Sequence, residues 1–239
     1  MRAAPASWSD SRLAGTRFLE IEWFEVVDST NRYLLERAAA GAPDGVVAVA
    51  DEQTAGRGRL GRAWIAPPRS ALLVSVLLRP KLSPERVHLV TIAAALAAID
   101  ALPGTDAQVK WPNDVVIGDR KLAGLLAETD PSGAVVVGMG LNLRGDWFPA
   151  ELRETSTFVA REPHELLVGW LLAYDARLRA LDSVLPDAAR SSATLGRRVR
   201  VDLARETFEG IAESFTPEGF LVVDGRVVSA GDVVHLRPV

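Results

Sequence analysis

The chain has no cysteine among its 239 residues, which excludes disulfides, thiolate zinc sites and a cysteine nucleophile. Histidine is nearly as scarce. His88, His164 and His235 have no spacing that fits a metal site or a catalytic triad, so all three are assigned to structure or surface. Long hydrophobic runs are missing too: the most apolar stretch, 88–102 (HLVTIAAALAAIDAL), is too short to span a bilayer and contains Asp100. Residues 1–16 lack the apolar core of a signal peptide. A soluble cytoplasmic protein with no membrane partner is expected. Nor is there a basic excess, because 27 Lys+Arg stand against 31 Asp+Glu, a net charge of −4. Bulk nucleic-acid binding normally needs a basic domain, and two tyrosines with scattered aromatics make a poor RNA platform.

Against that acidic background, TAGRGRLGRAW (54–64) places Arg57, Arg59 and Arg62 among Gly56, Gly58 and Gly61. The glycines forbid a stable helix and weaken a strand, so this is a loop. Arginine forks match carboxylate and phosphate oxygens, and glycine lets backbone N–H groups approach an oxyanion. No Gly-Lys-Ser/Thr follows and no helix opens, which rules out a Walker A loop and the dinucleotide fingerprint. A local anion grip and a solvated basic turn are the two readings.

Along the chain, residues 1–16 have neither periodicity and are expected to fray. Strands are predicted at 23–27, 45–51 and 70–80, with a helix over 31–41 capped by Asp28, Ser29 or Thr30 and stopped by Gly41. Ser83-Pro84-Glu85 predicts a helix running to about Leu102. Two strands joined at Gly118-Asp119 occupy QVKWPND and 114–130, an unbroken apolar strand follows over 134–143, and a helix spans roughly 162–181. After Thr194, short alternating runs with turns at Pro217-Glu218-Gly219, Asp224-Gly225 and Gly231-Asp232 form an all-β module of ~45 residues, the size of an SH3-like barrel.

Four further motifs have both a plain and a chemical reading. In VKWPND (109–114), Asn113 and Asp114 offer oxygens to a hard cation such as magnesium and Lys110 offers charge to a phosphate; a tight turn at a strand end is the plain alternative. Lys121 in DRKLAG reads by default as a surface hairpin lysine. VDSTN (27–31) holds helix caps whose hydroxyls also suit a polar ligand. GMGLN (138–142) sets two glycines in an apolar strand, which marks a bulge or a ligand lying on bare backbone.

The ordered set DSTN, EQTAGRGRLGRAW, KWPNDV, RKLAG and GMGLNL resembles the catalytic domain of biotin protein ligases over about residues 20–190. The resemblance implies an α+β fold, a mixed β-sheet flanked by helices like that of class II aminoacyl-tRNA synthetases. It also implies a frayed tail (1–16), a catalytic domain (17–192) and a C-terminal SH3-like barrel (193–239). The implied reaction joins biotin to ATP as biotinyl-5′-AMP with release of pyrophosphate. Biotin then passes to a lysine of a biotin carboxyl carrier domain of biotin-dependent carboxylases.

By motif position, Ser29, Thr30, Asn31, Gln53, Gly56, Arg57, Gly58, Arg59 and Lys121 would bind biotin. Arg59, Arg62, Trp64, Lys110, Asn113 and Asn142 would bind ATP, with Asn113 helping to hold Mg2+. Lys121, Arg59 and Asp114 would be catalytic, Lys121 at the junction of carboxylate and α-phosphate. Trp64 has a second reading as a core tryptophan. The 54–63 loop is expected to order over the adenylate and shield it from water. Leu60 departs from the family pattern, which has another basic residue there. The stretch before Trp23 is too short for the winged helix-turn-helix of two-function members, so no DNA partner is expected. A lipoate or octanoate ligase, which lacks the arginine loop, and a non-catalytic biotin-binding regulator are the competing readings.

Overall fold

Runs of Val, Leu and Ala build one eight-stranded sheet from β1 (Ala6–Trp8), β2 (Ile21–Val27), β3 (Val47–Gln53), β4 (Ala71–Leu78), β5 (Ala107–Lys110), β6 (Asp114–Ile117), β7 (Arg120–Thr129) and β8 (Val135–Asn142). The order is β1-β2-β3-β4-β8-β7-β6-β5. The pairing of β2 with β3 is parallel and the other pairs are antiparallel. The computed structural model describes residues 5–229 and 231–235. β4 and β8 are buried along their whole length, so both faces of the sheet centre are covered. None of the described helices is long and apolar enough to cross a membrane.

The helices are α1 (Thr30–Ala39), α2 (Leu89–Asp100), α3 (Ala150–Arg153), α4 (Pro163–Arg179) and α5 (Val184–Arg190). α2 is apolar on every side because it lies between the sheet and α4 and α5, where Leu89 to Ala98 are all buried. Two large α4 side chains satisfy their polar tips on it: Trp170 Nε1 donates to Ala94 O at 3.0 Å and Tyr174 Oη to Val90 O at 2.8 Å. The opposite face is covered by α1, whose Leu34 and Ala38 pack on Ala48, Leu77 and Val136. α1 covers only part of that face, and the remainder is left for a cavity.

β9 (Arg198–Asp202), β10 (Thr207–Phe215), β11 (Leu221–Val223), β12 (Arg226–Val228) and β13 (Asp232–His235) form a separate antiparallel sheet, order β12-β11-β10-β9-β13. Its core of Val199, Val201, Leu221 and Val223 also takes in Trp111 from the KWPND turn. Trp111 donates through Nε1 to Gly219 O at 3.3 Å and through its backbone N–H to Thr194 Oγ1 at 3.2 Å. The small module is therefore tied to the strand end that carries Lys110 and Asn113.

Two expectations need correction. The part of the tail that the structure describes does not fray: β1 pairs with β2, Leu13 is buried, Asp10 caps a 3-10 turn and Arg12 pairs with Glu165. Residues 1–4 of that tail lie outside the described residues. The helix expected from Ser83 to Leu102 is interrupted, with a 3-10 turn at Pro84–Arg86 and α2 beginning at Leu89. His88 lies at the break and stacks on Phe220 of the small module at 5.0 Å, a tertiary contact that local helix signals do not encode. The short helices α3 and α5 were not expected.

His235 joins the two sheets. Its Nδ1 accepts from Arg197 Nη1 at 2.9 Å, Arg197 also pairs with Asp119 of the β6–β7 turn, and His235 Nε2 lies 3.2 Å from Thr194 Oγ1. Burial, together with Lys110 and Arg197, pushes its pKa from the ordinary 6.5 down to about 4. Between those values the unfolded chain takes up a proton that the folded chain refuses, so stability falls as pH drops through that window. His235→Gln, which keeps an acceptor but cannot titrate, is expected to flatten the fall in Tm between pH 6.5 and 4; an unchanged slope by calorimetry would contradict this.

Candidate active site

Alternation along β8 puts Val136, Gly138, Gly140 and Asn142 on the α1 face. A Cβ on Gly138 would lie 2.1 Å from Asn31 Oδ1, and one on Gly140 would lie 2.4 Å from the Trp64 indole. The GMG pair is thus bare backbone against which the first turn of α1 and the Trp64 ring are pressed. Between them opens a cavity of about 440 Å3, the size of a small-molecule site.

The inner end is neutral and hydrogen-bonded. Ser29 caps α1 with Oγ accepting from Arg32 N–H at 3.4 Å, and Ser29, Thr30 and Asn31 are buried. Thr30 donates its backbone N–H to Gln53 Oε1 at 2.7 Å, and its Oγ1 lies 2.7 Å from Ser75 Oγ. Ser75 Oγ donates to Asn31 Oδ1 at 2.6 Å, while Asn31 Nδ2 donates to Leu126 O and to Glu128 Oε2 at 3.1 and 2.9 Å.

The outer end is cationic. Lys121 reaches it because of a bulge: Val115 faces Ala123 but Val116 faces Lys121, leaving Leu122 as an extra residue in β7. Leu122 and Ala123 both enter the α2 core, and Lys121 turns to the opposite face beside Gly124. There its Nζ lies 2.7 Å from Asp114 Oδ1 and 5.7 Å from the Trp64 ring centroid. The contact with Asp114 is an ion pair off the hydrogen-bonding axis, since Oδ1 is buried and accepts no bond of ordinary geometry. The backbone of Lys121 is held from outside, its N–H donating to Thr155 O and its carbonyl accepting from Thr157 N–H, each at 2.8 Å.

The arginine loop folds over this end. Arg57 pairs with Glu128 at 2.9 Å, Arg59 donates to Asn113 Oδ1 at 3.1 Å and Gly231 O at 3.2 Å, and Arg62 pairs with Asp232 of the small module. Burial lowers the pKa of Arg59, with Asp232 and Asp114 opposing, and burial likewise lowers that of Lys110, with Asp114 opposing. Asn113 Nδ2 donates to Leu125 O at 2.7 Å.

The expected site residues thus share one cavity, with one exception. Gly56 does not line it; a Cβ there would meet Trp64 O at 2.5 Å, so it is the loop's contact with its own base. Trp64 forms a wall of the cavity, with Nε1 buried and unpartnered. Asn142 is buried and spends its Nδ2 on Thr157 O at 3.0 Å. Sequence reading missed Ser75, Asp232 and the Trp147–Phe148 pair among the lining residues, and Glu128, which accepts from Asn31 and Arg57. Ser75 was detectable as the one polar residue in ALLVSVLL, and Glu128 as the next same-face position after Gly124 and Leu126. Nothing local marks Asp232.

Residues 23–146 match the model of the biotin/lipoate A/B protein ligase family, and residues 194–236 that of the biotin protein ligase C-terminal domain. The chain belongs to the biotin/lipoate A/B protein ligase family. It is 38% identical over 247 residues to the biotin–[acetyl-CoA-carboxylase] ligase of Mycobacterium tuberculosis, covering 94% of this chain and 92% of that protein. It is 30% identical to the bifunctional ligase/repressor BirA of Bacillus spizizenii, over 84% of this chain and 68% of that one. Among solved structures, the biotin protein ligase of Aquifex aeolicus in complex with biotin and ATP aligns with a TM-score of 0.79 at 25% identity, covering 91% of this chain and 99% of that one.

In this ligase-family chain the bare strand is a packing requirement as well as an opening. Gly140→Ala is expected to lower unfolding free energy by about 1–3 kcal/mol through overpacking against Trp64. Gly169→Ala, whose new Cβ would meet Ala101 at an ordinary 3.5 Å, should be neutral or stabilising. Urea unfolding checks both, and equal effects would contradict the assignment of Gly140.

Proposed function

We propose that this protein is an ATP-dependent biotin–protein ligase. It forms biotinyl-5′-AMP with release of pyrophosphate and then transfers biotin to a lysine ε-amine of a carrier domain of biotin-dependent carboxylases. The observation that carries this reading is the division of one cavity into a neutral end (buried Thr30, Asn31 and Ser75 with half-buried Gln53) and a cationic end (Arg59, Arg62, Lys110, Lys121). The neutral end suits a cyclic urea, which both donates and accepts hydrogen bonds, and the cationic end suits a carboxylate meeting a triphosphate.

In the first step a carboxylate oxygen of biotin attacks the α-phosphorus, the new P–O bond forms as the bond to the pyrophosphate oxygen breaks, and pyrophosphate leaves with that electron pair. No enzyme nucleophile is needed. Two anions must be aligned and their charge stabilised, which is the role assigned to Lys121 with Arg59. Asp114 orients Lys121 Nζ, and Lys110 and Arg62 face the phosphates. In the second step the acceptor amine attacks the acyl carbon, loses a proton and displaces AMP. Trp64, with Trp147 and Phe148 at the rim, offers aromatic surface to adenine and limits water access to the mixed anhydride.

The donor set also fits a magnesium ion entering with ATP, because Asp114 Oδ1 is a buried anionic oxygen without a hydrogen bond and Asn113, the residue before it, carries a carbonyl oxygen of the kind a hard cation takes. When bound there, the ion would neutralise phosphate charge. Among the described residues no group of three acidic or histidine side chains could hold a metal unaided, so substrate oxygens would complete its shell. Action in the cytoplasm accords with this chemistry.

A lipoate ligase would bring an apolar dithiolane to the buried polar end, leaving its groups unmatched. Purified protein is therefore expected to catalyse ATP–pyrophosphate exchange with biotin and not with lipoate or octanoate. Lys121→Ala should lower the rate by about 100- to 1,000-fold. No exchange with any of the acids would refute the proposal.

A further inference from the structure

Lysine is almost absent from the surface. Of the 27 Lys+Arg, the lysines are Lys81, Lys110 and Lys121, and every other cation is arginine. The two side chains carry the same charge but differ as nucleophiles: lysine releases a proton to give a free amine, whereas the guanidinium stays protonated and delocalised. Lys110 and Lys121 lie inside the cavity. Lys121 Nζ is 2.7 Å from Asp114 Oδ1, which holds it as an ammonium without a free lone pair. Lys110 is half-buried, with the charge of the same carboxylate acting on it. The exposed lysine is Lys81, which follows β4 at the end away from the cavity, since Leu78 pairs with Val135 whereas Ala71 pairs with Asn142 of the cavity wall. The length of β4, roughly 25 Å at the usual rise of a strand, lies between. At the mouth the cations are arginines. Arg57, Arg59 and Arg62 line the cavity, Arg144 O accepts from Trp147 Nε1 at 2.9 Å, and Arg153 Nε donates to Phe148 O at 3.0 Å, so the last two stand on the aromatic rim.

We infer that the placement of lysine protects this chain against its own product, and that Lys81 is the surface ε-amine at which it acylates itself. The mixed anhydride of biotin and AMP reacts with any free amine it meets: the nitrogen attacks the acyl carbon, the carbon–oxygen bond to the phosphate breaks, AMP leaves with that electron pair, and the ammonium proton passes to water. Adenylate leaving the cavity passes the mouth first, where its local concentration is highest. Arginine there supplies the positive charge that anions require without an acceptor nitrogen. Lys81 meets only adenylate already diluted into solvent, where hydrolysis competes. Stability does not account for the exclusion of lysine, because exposed pairs such as Arg69–Asp51, Arg144–Asp146 and Arg226–Glu206 contribute little and a lysine in them would cost little. This inference rests on the ligase reading for the acylating species, and on sequence and burial for the sites.

The test incubates the full chain with biotin, ATP and Mg2+ but no acceptor protein, maps the attached biotin by peptide mass spectrometry, and measures ATP–pyrophosphate exchange on the same sample. The wild type should carry ε-amine biotin at Lys81 alone, and Lys81→Arg should lose that label while keeping its exchange rate. Arg144→Lys should also exchange as the wild type does, and should gain biotin at position 144 about tenfold or more faster than at Lys81 of the same molecule, because the mouth concentrates the adenylate. Labelling at position 144 no faster than at Lys81, or biotin on Lys110 or Lys121 in the wild type, would overturn the protection. No label at Lys81 after many turnovers would overturn the site. Either result with normal exchange brings down this inference alone, whereas a wild type without biotin-dependent exchange brings down the ligase reading and the inference with it.

Discussion

The cavity depends on two missing side chains. At Gly138 and Gly140 the central strand β8 presents backbone alone, in a sheet whose other positions on that face carry Val136 and Asn142. Any β-carbon there would collide with Asn31 or with Trp64. The helix cap that builds the neutral end and the indole that walls the cationic end can therefore approach the sheet only because these residues are glycine. Rigidity comes from the opposite side, where α2 is buried on every face and α4 is fastened to its carbonyls by Trp170 and Tyr174. A site on such a base holds its groups in place before ligand arrives, which is where most of the catalytic effect of fixed charges originates.

Charge placement follows the same economy of position. Strict alternation would have sent Lys121 to the face that packs against α2, where an unpaired ammonium is strongly disfavoured. The extra residue Leu122 reverses the alternation, so that two apolar side chains enter the core and the lysine meets Asp114 instead. The arginines are held by carboxylates that span the molecule: Glu128 from the sheet, and Asp232 from the small module. The C-terminal sheet is thus part of the electrostatics of the cavity, tied to it also through Trp111 and His235.

Much of this was legible in the sequence for definite physical reasons. The glycine and arginine pattern of 54–64 could only be a loop, the cap at Ser29 opened a helix, and the unbroken apolar strands lay at the sheet centre. What escaped was set by contacts between distant segments. The bulge at Leu122 depends on pairing with β6, Arg62 meets a carboxylate 170 positions away, and His88, just before α2, stacks on Phe220 of the small module. The tail escaped because Ala6–Trp8 is too short to show a period and is ordered by β2 and by Trp23 and His164. Ser75 and Glu128 had detectable signals, but their meaning required knowing that Asn31 lies between them.

The central claim is that the bulge delivers Lys121 to the place where a carboxylate meets a phosphate, beyond a neutral inner end that binds the rest of the ligand. The most direct measurement is the calorimetric affinity of wild type and Lys121→Ala for biotin and for biotinol, which carries an alcohol in place of the carboxylate. The account predicts that the wild type prefers biotin, and that Lys121→Ala loses this preference while binding biotinol as well as before. An equal preference for biotin in both proteins would contradict it.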